Sequence, residues 1–101
     1  MDPRFEGELL EEVEKELKEP DMYNVVLHND DYTTREFVVE VLQIVFHKPA
    51  IEATRIMLDV HKKGRGVVGV YSWDVAQSKA AMVHRMAKER EFPLKCTVEA
   101  A

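Results

Sequence analysis

Hydrophobic and polar side chains fall into a regular order from Met22 onward. Tyr23, Val25 and Leu27 alternate with Asn24, Val26 and His28, a period of two that predicts a strand. Asn29-Asp30-Asp31 closes that strand in a loop, because Asn and Asp side chains bond their own backbone in turns. The period then lengthens to that of a helix. Phe37, Val38, Val41, Leu42, Val45 and Phe46 form one broad apolar stripe. Thr33 with Glu36 three positions later predicts a capping box at its start. Pro49 predicts its end, since the residue before a proline is pushed out of the helical region. Pro49 also suits the first position of a second helix, which runs to about Lys62 with Gly64 as its C-cap signal.

Val67, Val68 and Val70, interleaved with Gly66 and Gly69, predict a short strand through Tyr71. Ser72 is placed to cap a third helix, with Asp74 in the first turn where negative charge suits the helix dipole. Val75, Ala76, Ala80, Val83, Met86 and Ala87 supply its apolar face. Phe92-Pro93 breaks the chain, and Leu94, Cys96 and Val98 alternate with Lys95 and Thr97 as a last strand. The predicted order is strand, helix, helix, strand, helix, strand. That order implies an α+β fold in which a small three-stranded antiparallel sheet packs against three helices. At 101 residues there is room for one domain.

Residues 1–20 follow a different composition. They are rich in Glu, almost without aromatics, and end at Pro20, so they cannot bury enough surface to offset their own ordering entropy. We expect a flexible acidic N-terminal tail over 1–20 and a core domain over 21–101. Leu10, Val13 and Leu17 stand at helical spacing, so the alternative for the tail is a short helix formed on a partner. Charge supports the division. The formal charge is −5, and residues 1–19 carry eight acids against three bases, which leaves the remainder neutral with eleven of each. A neutral body without a basic stripe argues against nucleic acid as a ligand. Lys62-Lys63-Gly64-Arg65 is the one basic cluster, and it reads as a helix C-terminus complementing its dipole. Cys96 is alone, which excludes an internal disulfide and suits a reducing compartment. With no secretory signal pattern and no apolar run of the ~18 residues that span a bilayer, the expected location is cytoplasmic, away from membranes.

Two features can carry chemistry. One is the Asn29-Asp30-Asp31 loop. The other is Met57, Val60 and His61 on the second helix, whose i, i+3, i+4 spacing puts an apolar patch and an imidazole on one face. Each has a plain structural reading, as turn chemistry, as core and as a helix C-terminal histidine respectively. Catalytic signatures are missing: there is no nucleophile elbow, no phosphate-binding glycine loop, no metal-ligand run and no cofactor motif. A metal-dependent hydrolase using Asp30, Asp31 and His61 remains as an alternative.

These segments resemble the ClpS family, adaptors that hand N-degron substrates to a Clp AAA+ unfoldase and its protease. The matching stretches are Met22-Tyr23 through Leu27, Asn29-Asp30-Asp31-Tyr32-Thr33, Glu36-Phe37-Val38, Ala53-Thr54, Met57-Leu58 and Val60-His61. Gly69-Val70, Val75-Ala76 with Lys79, Pro93-Leu94 and Cys96-Thr97 continue the match, which covers about residues 20–99 in order. The resemblance implies a non-enzymatic binding protein. In it Asn29 and Asp30, assisted by His61, hold a free α-amino group. An ammonium has three donors and no acceptor, so an amide carbonyl, a carboxylate and a neutral imidazole suit it. It also implies a pocket for a large apolar first side chain (Leu, Phe, Tyr or Trp), lined by Leu27, Thr33, Val38, Met57, Val60 and Leu94. Asp74 and Lys79 match residues that face the N-terminal domain of a ClpA-type unfoldase. The chain departs from the family at the pocket mouth. Arg35 stands where a methionine that helps exclude β-branched first residues is usual, and Thr34 replaces a proline. A guanidinium there either alters side-chain preference and repels a positive second residue, or points outward into water.

Overall fold

The computed structural model describes residues 21–101. The tail expected over 1–20, and the short helix suggested by Leu10, Val13 and Leu17, lie outside the described residues. Six elements follow in the anticipated order: β1 (Tyr23–His28), α1 (Arg35–Ile44), α2 (Ala50–Lys63), β2 (Arg65–Tyr71), α3 (Trp73–Glu89) and β3 (Lys95–Ala100). The sheet runs β2-β1-β3, with β1 antiparallel to both neighbours.

The first strand is central because it is apolar on both sides. Val25, Val26 and Leu27 are all fully buried. Val25 and Leu27 join the helix-covered core with Phe37, Val41, Leu42, Ala53, Ile56, Val60, Ala76 and Val83. Complete burial of each such Val or Leu contributes about 1.5–3 kcal/mol. Val26 faces the other way, opposite Val67 and Thr97. Over that face Arg65 of β2 reaches across β1 to Glu99 of β3, and His28 Nε2 shares a 2.7 Å hydrogen bond with Thr97 Oγ1. The aliphatic stems and polar bridges of these neighbours screen Val26 from water.

In β2 a bulge opposite Val25 and Val26 leaves Val68 without a partner in the register. An extra residue reverses the side-chain alternation. Val68 therefore enters the core, whereas Val67 and Val70 are each about half exposed (50% and 49%).

Helix ends depart from expectation in four places. Thr34, not Thr33, is the N-cap of α1, its hydroxyl accepting from the Phe37 N–H at 3.2 Å; Thr33 is drawn away by Asp30. The first helix stops before Pro49 is reached, as His47 takes a left-handed φ of 54°. Pro49 is then the N-cap of α2 and not its first residue. Ser72 occupies the N-cap position of α3 but makes no side-chain capping bond. Val75, expected on the apolar face of α3, is exposed, because the seam of that helix passes through Ala76, Ala80, Val83 and Ala87. The C-terminus of α3 closes with Glu91 at φ 59°. Phe92 N–H donates to Ala87 O and Glu91 N–H to Lys88 O there, the double bond pattern of a Schellman turn.

Candidate functional site

Backbone geometry brings the two sequence features together. Gly64 ends α2 at φ 87°, a conformation that favours glycine, and the chain turns directly into β2. Arg65 then pairs with His28, the last residue of β1. The residue after β1 is thereby fastened to the end of α2: Asn29 N–H donates to Gly64 O at 2.8 Å. Close packing completes the arrangement. A Cβ on Gly66 would stand 2.8 Å from Val60 Cγ2, so β2 can lie against α2 at this depth only with glycine at that position.

Between the loop and the two helices lies a hollow of about 220 Å³, lined by Asn29, Asp30, Asp31, Thr33, Arg35, Val38, Met57, Val60 and His61. Its wall is apolar where Val38, Met57 and Val60 face it. Its rim is polar on the loop side and at His61. Of the residues expected to line a pocket, Thr33, Arg35, Val38, Met57 and Val60 do so. Leu27 and Leu94 do not: both are buried in the core cluster, one on the central strand and one just ahead of β3.

Asp30 is the keystone of the loop. Its Oδ1 accepts from the backbone N–H groups of Tyr32 (2.8 Å) and Thr33 (2.7 Å), and its Oδ2 accepts from the Thr33 hydroxyl (2.7 Å). Burial alone would raise its pKa, but the three donors from Thr33 and Tyr32 outweigh that and hold the carboxyl below its usual range. The negative charge is thus fixed at the rim. Oδ2 carries one donor among the described residues and keeps acceptor capacity towards the hollow. Asp30 thus shapes the loop, while Asp31 is an exposed part of the wall.

Sequence reasoning did not anticipate one contact. Arg35, the first residue of α1, reaches across the rim to α2, with Nη2 2.8 Å from His61 Nε2. A guanidinium can only donate, so Nε2 accepts and the proton of the neutral ring sits on Nδ1. The Met57 and Arg35 side chains also border a second, shallower hollow of about 370 Å³ with Glu36 and Val39. Arg35 and Met57 therefore form the partition between the two hollows.

The residues expected to face an unfoldase stand apart from this site. Asp74 is exposed in the first turn of α3. Lys79 is not a free surface cation: Nζ donates to Val45 O at 2.8 Å and lies 5.6 and 5.3 Å from the ring centres of Phe46 and Tyr71. It satisfies a carbonyl left over at the end of α1 and ties α3 to it. Cys96 is buried, which pushes its thiol up to about 12 and leaves it inert as a nucleophile. The metal-dependent hydrolase does not find support. Among the described residues no three His, Cys, Asp or Glu side chains converge on a point, and His61 faces a cation.

Comparison with known proteins accounts for the arrangement. Residues 18–97 match the family model described as ATP-dependent Clp protease adaptor protein ClpS. The chain belongs to the ClpS family. The ClpS adapter protein of Syntrophus aciditrophicus is 57% identical over 95 residues, covering 94% of this chain and 89% of the relative. That of Acetivibrio thermocellus is 62% identical over 88 residues, covering 87% and 89%. The solved structure of Agrobacterium tumefaciens ClpS2 bound to L-phenylalaninamide matches with a TM-score of 0.80 at 42% identity, covering 82% of this chain and 100% of that one. The ClpS fold is thus the one built here from β1, α1, α2, β2, α3 and β3.

Proposed function

We propose that the hollow beside Asn29 is the seat for the first residue of a protein substrate, and that the chain delivers such substrates to a Clp AAA+ unfoldase and its protease. The observation that carries this reading is the joining of a fixed carboxylate and an acceptor imidazole above an apolar wall. Asn29 supplies an amide carbonyl, Asp30 a charge that its three donors keep ionised, and His61 a nitrogen acceptor. These are the partners an α-ammonium needs. The site also lies at the C-terminal end of α2, where the helix dipole favours a cation by about 0.3–1 kcal/mol. Val38, Met57 and Val60 then receive the side chain. Burial of Leu, Phe, Tyr or Trp there is worth about 1.5–3 kcal/mol, a scale that suits capture followed by hand-off. The phenylalaninamide bound by the Agrobacterium relative has the required pieces, a free amine and a large apolar side chain.

This makes the protein a binding module rather than an enzyme. For the partner we assign the N-terminal domain of a ClpA-type unfoldase, with exposed Asp74 as a contact and Lys79 as a brace whose ammonium is already held. Among the described residues no helix is long and apolar enough to cross a membrane. The lone buried Cys96 suits a reducing compartment, and on that ground we place the protein in the cytoplasm.

Fluorescence polarisation with a labelled peptide beginning Phe, free and N-acetylated, tests the reading. Acetylation removes the charge and two of three donors, and the expected loss of affinity is at least a hundredfold, or about 2.7 kcal/mol or more. Equal binding of the two peptides would remove the amino group from the mechanism.

A further inference from the structure

The Arg35 side chain is exposed but is turned back over the rim. Its guanidinium sits 2.8 Å from His61 Nε2, and that nitrogen is one of the acceptors assigned above to the substrate's ammonium. Two cations cannot share it. An arriving ammonium offers the same kind of donor and repels the guanidinium at close range. Arg35 is exposed and is the first residue of α1, so its side chain has open solvent to move into when it leaves His61. When it leaves His61, its charge remains at the pocket mouth in search of a partner.

We propose that Arg35 is a displaceable latch on the amino-group site and that, once displaced, it reads the second residue of the substrate, favouring a carboxylate there and disfavouring a positive side chain. This rests on the N-degron reading of the hollow and adds a specificity determinant to it. Geometry supports the choice of position. Consecutive Cα atoms are about 3.8 Å apart, so a side chain one residue beyond the bound ammonium is within reach of a guanidinium that starts beside the ammonium's own acceptor. In an extended peptide the first side chain enters the wall of Val38, Met57 and Val60, and the second turns outward to the rim. Arg35 stands there with a planar fork matched to a carboxylate. Asp30 and Asp31 line the same hollow from the loop, whereas Arg35 lines it from α1. They hold the ammonium side negative, so the second-residue side, with Arg35, is the positive one.

The latch and the reader have separate signatures. Affinities are measured for peptides that begin Phe-Asp, Phe-Ala and Phe-Lys and are otherwise identical, on the full chain and on Arg35→Met and Arg35→Lys, at low salt. On the natural chain we expect Phe-Asp to bind about three- to tenfold more tightly than Phe-Lys, since one favourable exposed charge pair is compared with one unfavourable one, with the gap closing at high salt. In Arg35→Met the ratio falls to within twofold, and Phe-Ala binds several-fold more tightly because no latch has to be displaced. Arg35→Lys keeps the Asp-over-Lys preference, since the charge remains, but narrows it without the fork. Equal affinity for Phe-Asp and Phe-Lys on the natural chain, or a ratio unchanged in Arg35→Met, overturns the reader. Weaker Phe-Ala binding in Arg35→Met overturns the latch. The acetylated Phe-Ala peptide separates these failures from failure of the site itself. If free Phe-Ala binds and the acetylated form does not, the N-degron reading stands whatever Arg35 does. If no peptide binds the natural chain or either variant, both readings fall together.

Discussion

Two strand-to-helix junctions in this molecule do the same topological job by different means. Between β2 and α3 the passage takes one residue: Ser72 occupies the N-cap position, makes no side-chain bond, and the helix begins. Between β1 and α1 it takes six, from Asn29 to Thr34, held by four side-chain hydrogen bonds from Asp30 and Thr34 together with the Asn29–Gly64 backbone bond. Starting a helix does not require so much bonding, as Ser72 demonstrates. What the longer junction achieves is to fix a carboxylate and an asparagine at the edge of an apolar hollow beside His61. Binding residues are found disproportionately on loops that a rigid scaffold positions, and this loop is the one that scaffold holds most tightly.

The sharpest way to break this comparison is to remove the bonding from each junction in turn. Asp30→Ala loses three hydrogen bonds and the rim charge. We expect the affinity for a Phe-initiated peptide to fall a hundredfold or more and stability in urea to drop by about 1–3 kcal/mol. Ser72→Ala should leave peptide affinity unchanged and stability within about 0.5 kcal/mol. Comparable losses in the two variants would show that Asp30 serves only the fold.

Next in size is Gly66→Ala. The added methyl meets Val60 Cγ2, a stiff β-branched side chain that also forms the hollow's wall. Strand and helix have to separate, at a cost of about 1–3 kcal/mol. Because the movement reaches Val60, peptide affinity should fall with stability. Unaltered affinity would mean that the wall tolerates the shift.

The smallest effect is a dependence on pH that distinguishes the open sheet face from the loop. Partial burial, with Lys95 and Arg65 nearby and Glu99 opposing them, holds His28 below its ordinary 6.5. The unfolded chain therefore takes up this proton first. The stability that neutral His28 contributes is complete above 6.5 and is lost as pH falls through the lower folded value. Asp30, also lowered, acts in the same direction but further into acid, below its ordinary 3.8. Melting temperatures from pH 7.5 to 3 should decline in two stages, with His28→Gln reducing the first and Asp30→Asn the second. A melting temperature that rises between pH 6.5 and 5 would contradict the assignment for His28.

Much of this molecule was legible along the chain, and the reasons are physical. Strand and helix periods write themselves into the spacing of Val25, Leu27, Phe37, Val41 and Leu42, because each element must turn one face to the core. Gly64 announced the end of α2, because few residues other than glycine adopt its left-handed conformation readily. The constellation of Asn29, Asp30, His61, Met57 and Val60 was legible through the ordered match to ClpS adaptors, whose motifs are local in sequence.

Other matters required tertiary structure. A bulge in β2 decides that Val68 faces inward while Val70 does not, and register belongs to a pair of strands rather than to one. The Asp30 carboxylate takes Thr33 for itself, leaving the cap to Thr34, since competing hydrogen-bond partners one residue apart are settled by loop geometry. Leu27 and Leu94 belong to the core and not to the hollow, because depth is a property of packed layers. Lys79 is spent on a carbonyl of another helix, 34 residues away in sequence. Above all, nothing along the chain pairs Arg35 with His61, 26 positions apart. The sequence by itself determined most of the side chains that line the hollow, because their motifs are local; only the packing of α1 against α2 decided that one of them, Arg35, reaches across it to His61.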